Sequence, residues 1–165
     1  MVTINLKRIA KHLTFVGAFK RGFSATTVAA IEEAINASEE LHTGEIRCVV
    51  EAALDIGPLL KAQSARTRAL ELFASHGIWD TEHNNGVLIY LLLADQAVEI
   101  IVDRGVTIDT DALNTICRTM QSHFTQRNFA AGIIEGINAL SQYLMRDFPA
   151  KGNDISELPN DIIML

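Results

Sequence analysis

The sequence predicts an α/β fold, a single domain with a small mixed sheet of about four strands and helices on both faces. Three observations predict it. The apolar period switches between helical and strand spacing along the chain. Residues 87–94 form an unbroken apolar run, β-branched at its start and short, which is the pattern of a central strand covered on both sides. The link Ala94-Asp95-Gln96 to the next strand-like segment is three residues long. A connection that short makes a hairpin, so these two strands are antiparallel neighbours.

The elements follow in order. Residues 1–23 do not read as a core element. Leu6, Ile9, Leu13 and Val16 fall at helical spacing, with Lys7, Arg8 and Lys11 off that face. Two readings are open: an arm that packs on its own domain or on a second subunit, or a basic amphipathic helix on a membrane surface. Ser24 is placed to cap a helix in which Val28, Ile31, Ala34, Ile35, Ser38 and Leu41 recur at 3, 4 and 7, and Thr43-Gly44 stops it. Ile46, Cys48 and Val50 then alternate with Arg47, Val49 and Glu51, which is strand spacing. Gly57-Pro58 breaks the chain. Residues 63–76 are helical again, with Ala65, Ala69, Leu72 and Phe73 inward. The loop 78–86 leads into the apolar strand, and Val98, Ile100 and Val102 mark its hairpin partner. Asp109 or Thr110 caps a helix with the stripe Leu113, Ile116, Cys117, Met120 and Phe124. Phe129, Ile133, Ile137, Leu140 and Leu144 make the last helix, where Gly132 and Gly136 predict close backbone packing. The tail 151–165 begins as a loop, and residues 162–165 either add a short strand or cover the core.

Length and composition fit this plan. The chain has 165 residues, 48% hydrophobic and 21% charged, enough for one core and too apolar for a disordered chain. Its longest apolar run is far below the ~20 residues of a membrane helix. No secretory signal opens it. Cys48 and Cys117 make neither a disulfide framework nor a metal pair, so a reducing cytosol is expected, with both thiols buried as filler. The net charge of −6 is uneven. Residues 1–23 hold five bases and no acid, leaving the body at −11, a poor nucleic-acid binder.

Three segments together carry a resemblance: Thr43-Gly44-Glu45-Ile46-Arg47, Asn85-Gly86-Val87-Leu88-Ile89-Tyr90 and Asp103-Arg104-Gly105. In order and spacing they resemble the TPM domain family, over residues 24–148. The tail Glu157-Leu158-Pro159 is similar to that of short single-domain bacterial members. The resemblance divides the chain into a basic arm (1–23), a TPM-like domain (24–150) and a tail (151–165). It implies a compact α/β/α sandwich, with acid-phosphatase activity and divalent-cation binding, especially calcium, for some members. Where other members carry a Gly-Tyr-Gly-like turn, this chain reads Asp103-Arg104-Gly105-Val106.

The hairpin also makes a geometric statement. Residues just before its first strand lie beside those just after its second, so Glu82, Asn84 and Asn85 approach Asp103 and Arg104. The next helix starts there with Asp109 and Asp111. If the first strand runs parallel to the apolar one through a right-handed crossover, Glu45 reaches the same rim. Glu45, Asn85, Asp103 and Asp109 are therefore the candidate ligands for Ca2+ or Mg2+, which take hard oxygen donors. Arg104 is the candidate for a phosphate. The same residues also suit structural roles. Asn84-Asn85-Gly86 is a turn, Asp109 and Asp111 a cap and a first-turn acid, and Glu45 and Asp103 suit surface pairs with Arg47 and Arg104. The five histidines show no zinc spacing, and no nucleophile elbow or phosphate loop is present. Two functions remain: a ligand- or partner-binding module, peripheral to a membrane through residues 1–23, or a metal-dependent phosphatase.

Overall fold

The computed structural model describes residues 5–15, 22–152 and 155–165. Its helices are α1 (Leu6–Phe15), α2 (Ala25–Glu39), α3 (Ile56–Leu60), α4 (Ala65–Ser75), α5 (Thr110–Thr125) and α6 (Phe129–Asp147). The strands are β1 (Glu45–Glu51), β2 (Gly86–Leu92), β3 (Ala97–Val102) and β4 (Ile163–Met164). They form one mixed sheet in the order β3-β2-β1-β4. β1 is parallel to β2 and to β4, and β2 is antiparallel to β3. The α/β/α sandwich expected from the sequence is the architecture of the chain.

The strand period decides which side chains build which layer. Ile46, Cys48, Val50, Val87, Ile89 and Leu91 meet α2, α5 and α6 through Ile31, Ile35, Met120, Ile133, Ile137 and Leu144. Val49, Leu88, Tyr90 and Leu92 face the other way and meet Leu54, Leu59, Ala69, Leu72 and Ile78. All seven residues of β1 and of β2 are buried, charged Glu45, Arg47 and Glu51 included. Helix ends follow the expected chemistry. The side chains of Ser24, Ser64 and Asp109 accept N–H bonds from Thr27, Thr67 and Ala112. Gly132 and Gly136 let α5 lie tight on α6. A Cβ at Gly132 would stand 2.5 Å from the Phe124 ring, and one at Gly136 would stand 2.5 Å from Met120 Sδ.

Three expectations are corrected. Gly57-Pro58 does not break the chain but sits inside the single turn of α3, with Asp55 at its N-cap position. Proline is tolerated in a first helical turn, where its missing N–H has no intrahelical partner. Cys117 is only half-buried, whereas Cys48 is fully buried. The predicted stripe of the arm does not act as one face. Ile9 packs inward, Leu6 and Leu13 are exposed, and Val16 lies outside the described residues. α1 instead buries His12, because polar groups of the body need it (below). Among the described residues no helix is long and apolar enough to cross a membrane.

Candidate functional site

The two ends of the parallel pair β1–β2 carry different chemistry. At the carboxyl end, the Tyr90 hydroxyl donates to Glu51 Oε2 at 2.6 Å. Arg68 donates to both oxygens of the same carboxylate, at 3.0 and 2.9 Å. Burial and then the bond to Glu51 push the Tyr90 hydroxyl pKa up. Beside them, Arg8 and His12 of α1 grip Asp95 in the β2–β3 turn, Arg8 Nη2 at 2.7 Å and His12 Nε2 at 2.9 Å. The Leu54 N–H, just past β1, donates to His12 Nδ1 at 2.9 Å. That bond makes Nδ1 the acceptor, so in the neutral ring Nε2 carries the proton given to Asp95. Burial pushes the Asp95 carboxyl up, but the bonds from Arg8 and His12 outweigh it and hold the pKa below the usual range. Open α/β sheets commonly take ligands at this end. Here its polar groups satisfy one another and α1 is latched to it.

Sequence reasoning did not single out Glu51, Arg68, Tyr90, Asp95 or His12 as one group. One signal was present. Tyr90 is the single hydroxyl in an apolar strand buried on both faces, and such a hydroxyl requires a partner.

The amino end is the predicted rim, and the backbone meets there as the hairpin requires. The Asp103 N–H donates to Gly86 O at 2.9 Å, the Gly105 N–H to Asn84 O at 2.9 Å, and the Glu45 N–H to Asn85 O at 3.3 Å. Asn85 is fully buried. Its Nδ2 donates to Thr43 O at 2.7 Å and its N–H to Thr81 Oγ1 at 3.0 Å. Its Oδ1, also buried, has no hydrogen-bond partner among the described residues. Asp103 Oδ1 accepts the Arg104 N–H at 2.7 Å, while Asp103 Oδ2 is buried without a partner among the described residues.

The other predicted ligands are engaged elsewhere. Glu45 does not pair with Arg47. Its carboxylate accepts the backbone N–H groups of Glu157 at 2.8 Å and Leu158 at 3.2 Å. Burial raises its pKa all the same. Arg47 instead reaches Asp161 at 3.3 Å. Asp109 Oδ1 caps α5 through the Ala112 N–H at 2.7 Å. The Arg104 guanidinium turns from Asp103 to Asn84 Oδ1, at 3.1 and 2.9 Å. No three His, Cys, Asp or Glu side chains among the described residues form a metal group. The rim thus joins the predicted backbone segments, and among its described residues Asn85 and Asp103 are the two with a buried side-chain oxygen that has no partner.

Next to the rim Glu39 and Glu45 make a pair of carboxylates. Glu39 at the end of α2 accepts the Ile46 N–H at 3.2 Å and the Asn160 amide at 2.8 Å. Burial, and then the nearby charge of Glu45, raise its pKa to about 7. A groove of about 560 Å³ runs elsewhere, along the edge strand β3 between Arg66, Glu99, Leu113 and Arg118. Arg66 closes part of that edge by donating to Ile100 O at 2.8 Å. Cys117 lines the groove, and burial pushes its thiol up to about 11, which keeps it a weak nucleophile. Burial pushes the Cys48 thiol up to about 12.

The comparisons agree with this architecture. The chain is similar to the BA42 protein of the psychrophilic bacterium Bizionia argentinensis, solved by NMR. The two share 32% identity over 87% of this chain and 95% of that one, with a TM-score of 0.76. It shares the fold of the N-terminal domain of a P. gingivalis protein, at 24% identity over 76% of this chain and 78% of that one, TM-score 0.59. It also shares the fold of the N-terminal domain of the cg2496 protein of Corynebacterium glutamicum, at 10% identity over 82% and 81%, TM-score 0.56. No curated protein matches it. The family model of the TPM domain matches residues 18–143. The chain belongs to the TPM domain family.

Proposed function

We propose that this TPM domain is a binding module that takes a hard divalent cation, Ca2+ or Mg2+, at the rim formed by the amino ends of β1 and β2 and the end of β3. One observation carries the reading: Asn85 Oδ1 and Asp103 Oδ2 are buried oxygens with no donor among the described residues. A buried acceptor without a partner costs about 1–3 kcal/mol, and more when charged. A cation ligated by carboxylate, amide and main-chain oxygens offsets that cost. The His83 carbonyl, which crowds Gly105, adds a main-chain oxygen to the same rim. Glu45 and Asp109 are not assigned as ligands, because backbone N–H groups already occupy them.

Phosphate-ester hydrolysis is the weaker reading. It needs an activated water or nucleophile and a cation for the phosphate. Arg104, the residue placed for that phosphate, is engaged by Asn84. An amide NMR titration with calcium chloride tests the proposal. Shifts confined to residues 83–86 and 103–107 are expected. Shifts spread over the acidic surface, or none, contradict it.

A further inference from the structure

α1 is docked with its polar side inward. Arg8, Ile9 and His12 turn to the body, and Arg8 and His12 are fixed on Asp95 and Leu54. Leu6, Ala10 and Leu13, spaced by 4 and 3, form an exposed stripe, with Leu6 74% and Leu13 57% accessible. Exposed Lys7 and Lys11 lie along one side of it. α3 packs beside α1 and adds exposed Ile56 and Leu60, followed by exposed Lys61. The single acid in residues 6–15 and 55–61 is Asp55.

We infer that this face of α1 and α3 docks on an anionic lipid surface. The charge pattern selects that occupant. Residues 1–23 carry five bases and no acid, while the other 142 residues carry −11. An anionic surface therefore attracts this side of the molecule and repels the rest, which fixes the orientation. The stripe is the convex side of a helix rather than a groove. Its leucines reach the headgroup–acyl boundary while the lysine stems spread along it. The Arg8 and His12 contacts lie on the opposite side, so docking breaks none of them. One short helix gives reversible, salt-sensitive binding.

The test is flotation of the full chain with vesicles of phosphatidylcholine alone or mixed equally with phosphatidylglycerol. Binding to the mixed vesicles at low salt is expected, falling as salt rises, with none to phosphatidylcholine. Leu6→Asp/Leu13→Asp and, separately, Lys7→Glu/Lys11→Glu should each lower the partition coefficient roughly tenfold or more. Both pairs are exposed, so the melting curves should match the wild type. Equal binding to both vesicles, no binding to the mixed ones, or variants that bind like the wild type overturn the inference. So does self-association that the leucine variant abolishes without vesicle binding, since it gives the face to a second copy.

Discussion

His12 Nδ1 accepts the backbone N–H of Leu54 at 2.9 Å, across 42 residues of sequence. With Nε2 on Asp95, this one buried ring ties α1 to both loops at the carboxyl end of the parallel strands. His12→Ala leaves the Leu54 N–H without its acceptor and removes one donor from Asp95. A loss of about 1–3 kcal/mol is expected, with faster hydrogen exchange at the Leu54 amide. Chemical denaturation with and without the substitution measures it, and an unchanged midpoint would show that α1 is not latched.

Gly86 opens β2 directly beneath the Ile78 carbonyl. A Cβ there would stand 1.9 Å from Ile78 O, a backbone atom that cannot swing away. Gly86→Ala should destabilise the chain by about 3 kcal/mol or more, at the upper end of overpacking costs. Gly57→Ala is the control, since a Cβ at Gly57 meets nothing within 4 Å and should cost nothing measurable. Equal melting temperatures for the two variants would contradict the packing described for the start of β2.

Glu39 supplies a pH dependence. Its folded pKa is about 7 against an ordinary 4.5, raised by burial and then by Glu45. Between these values the native state binds more protons than the unfolded chain, so this group's contribution to stability falls as pH rises through that window. Glu39→Gln keeps the acceptor for the Ile46 N–H and removes the charge. After discounting for partial exposure, it should stabilise the chain by about 1–2 kcal/mol at about pH 8 and by nothing at about pH 4. Urea unfolding at the two pH values decides it. A gain that does not change with pH would mean that Glu39 titrates normally.

Much of the fold was legible in the periodicity. Alternation in residues 46–51, the apolar run of β2 and the stripes of α5 and α6 each mark an element that is present; β1 and β2 are buried throughout, and the stripes of α5 and α6 pack on the core. The hairpin was legible from its three-residue link, and with it the meeting of Asn84, Asn85 and Asp103 at one rim. What the rim's side chains do was not legible. Glu45 is held by Glu157, 112 residues away, and no local pattern encodes that contact. The facing of α1 was left open for a related reason. Its leucine stripe is the stronger periodic signal, but Leu54 and Asp95 require Arg8 and His12 on the inner side.

Calcium's effect on thermal unfolding tests the rim most directly. A ligand that binds only the native state stabilises it by RT ln(1 + [L]/Kd), about 2.7 kcal/mol at a hundredfold excess over Kd. The melting temperature of the wild type should rise with calcium beyond any effect of sodium at equal ionic strength. Asp103→Asn keeps the shape and deletes the charge, so it should lose most of that rise while melting normally without calcium. A wild-type curve that calcium and magnesium leave where sodium leaves it, or an Asp103→Asn variant that responds fully, would contradict the account.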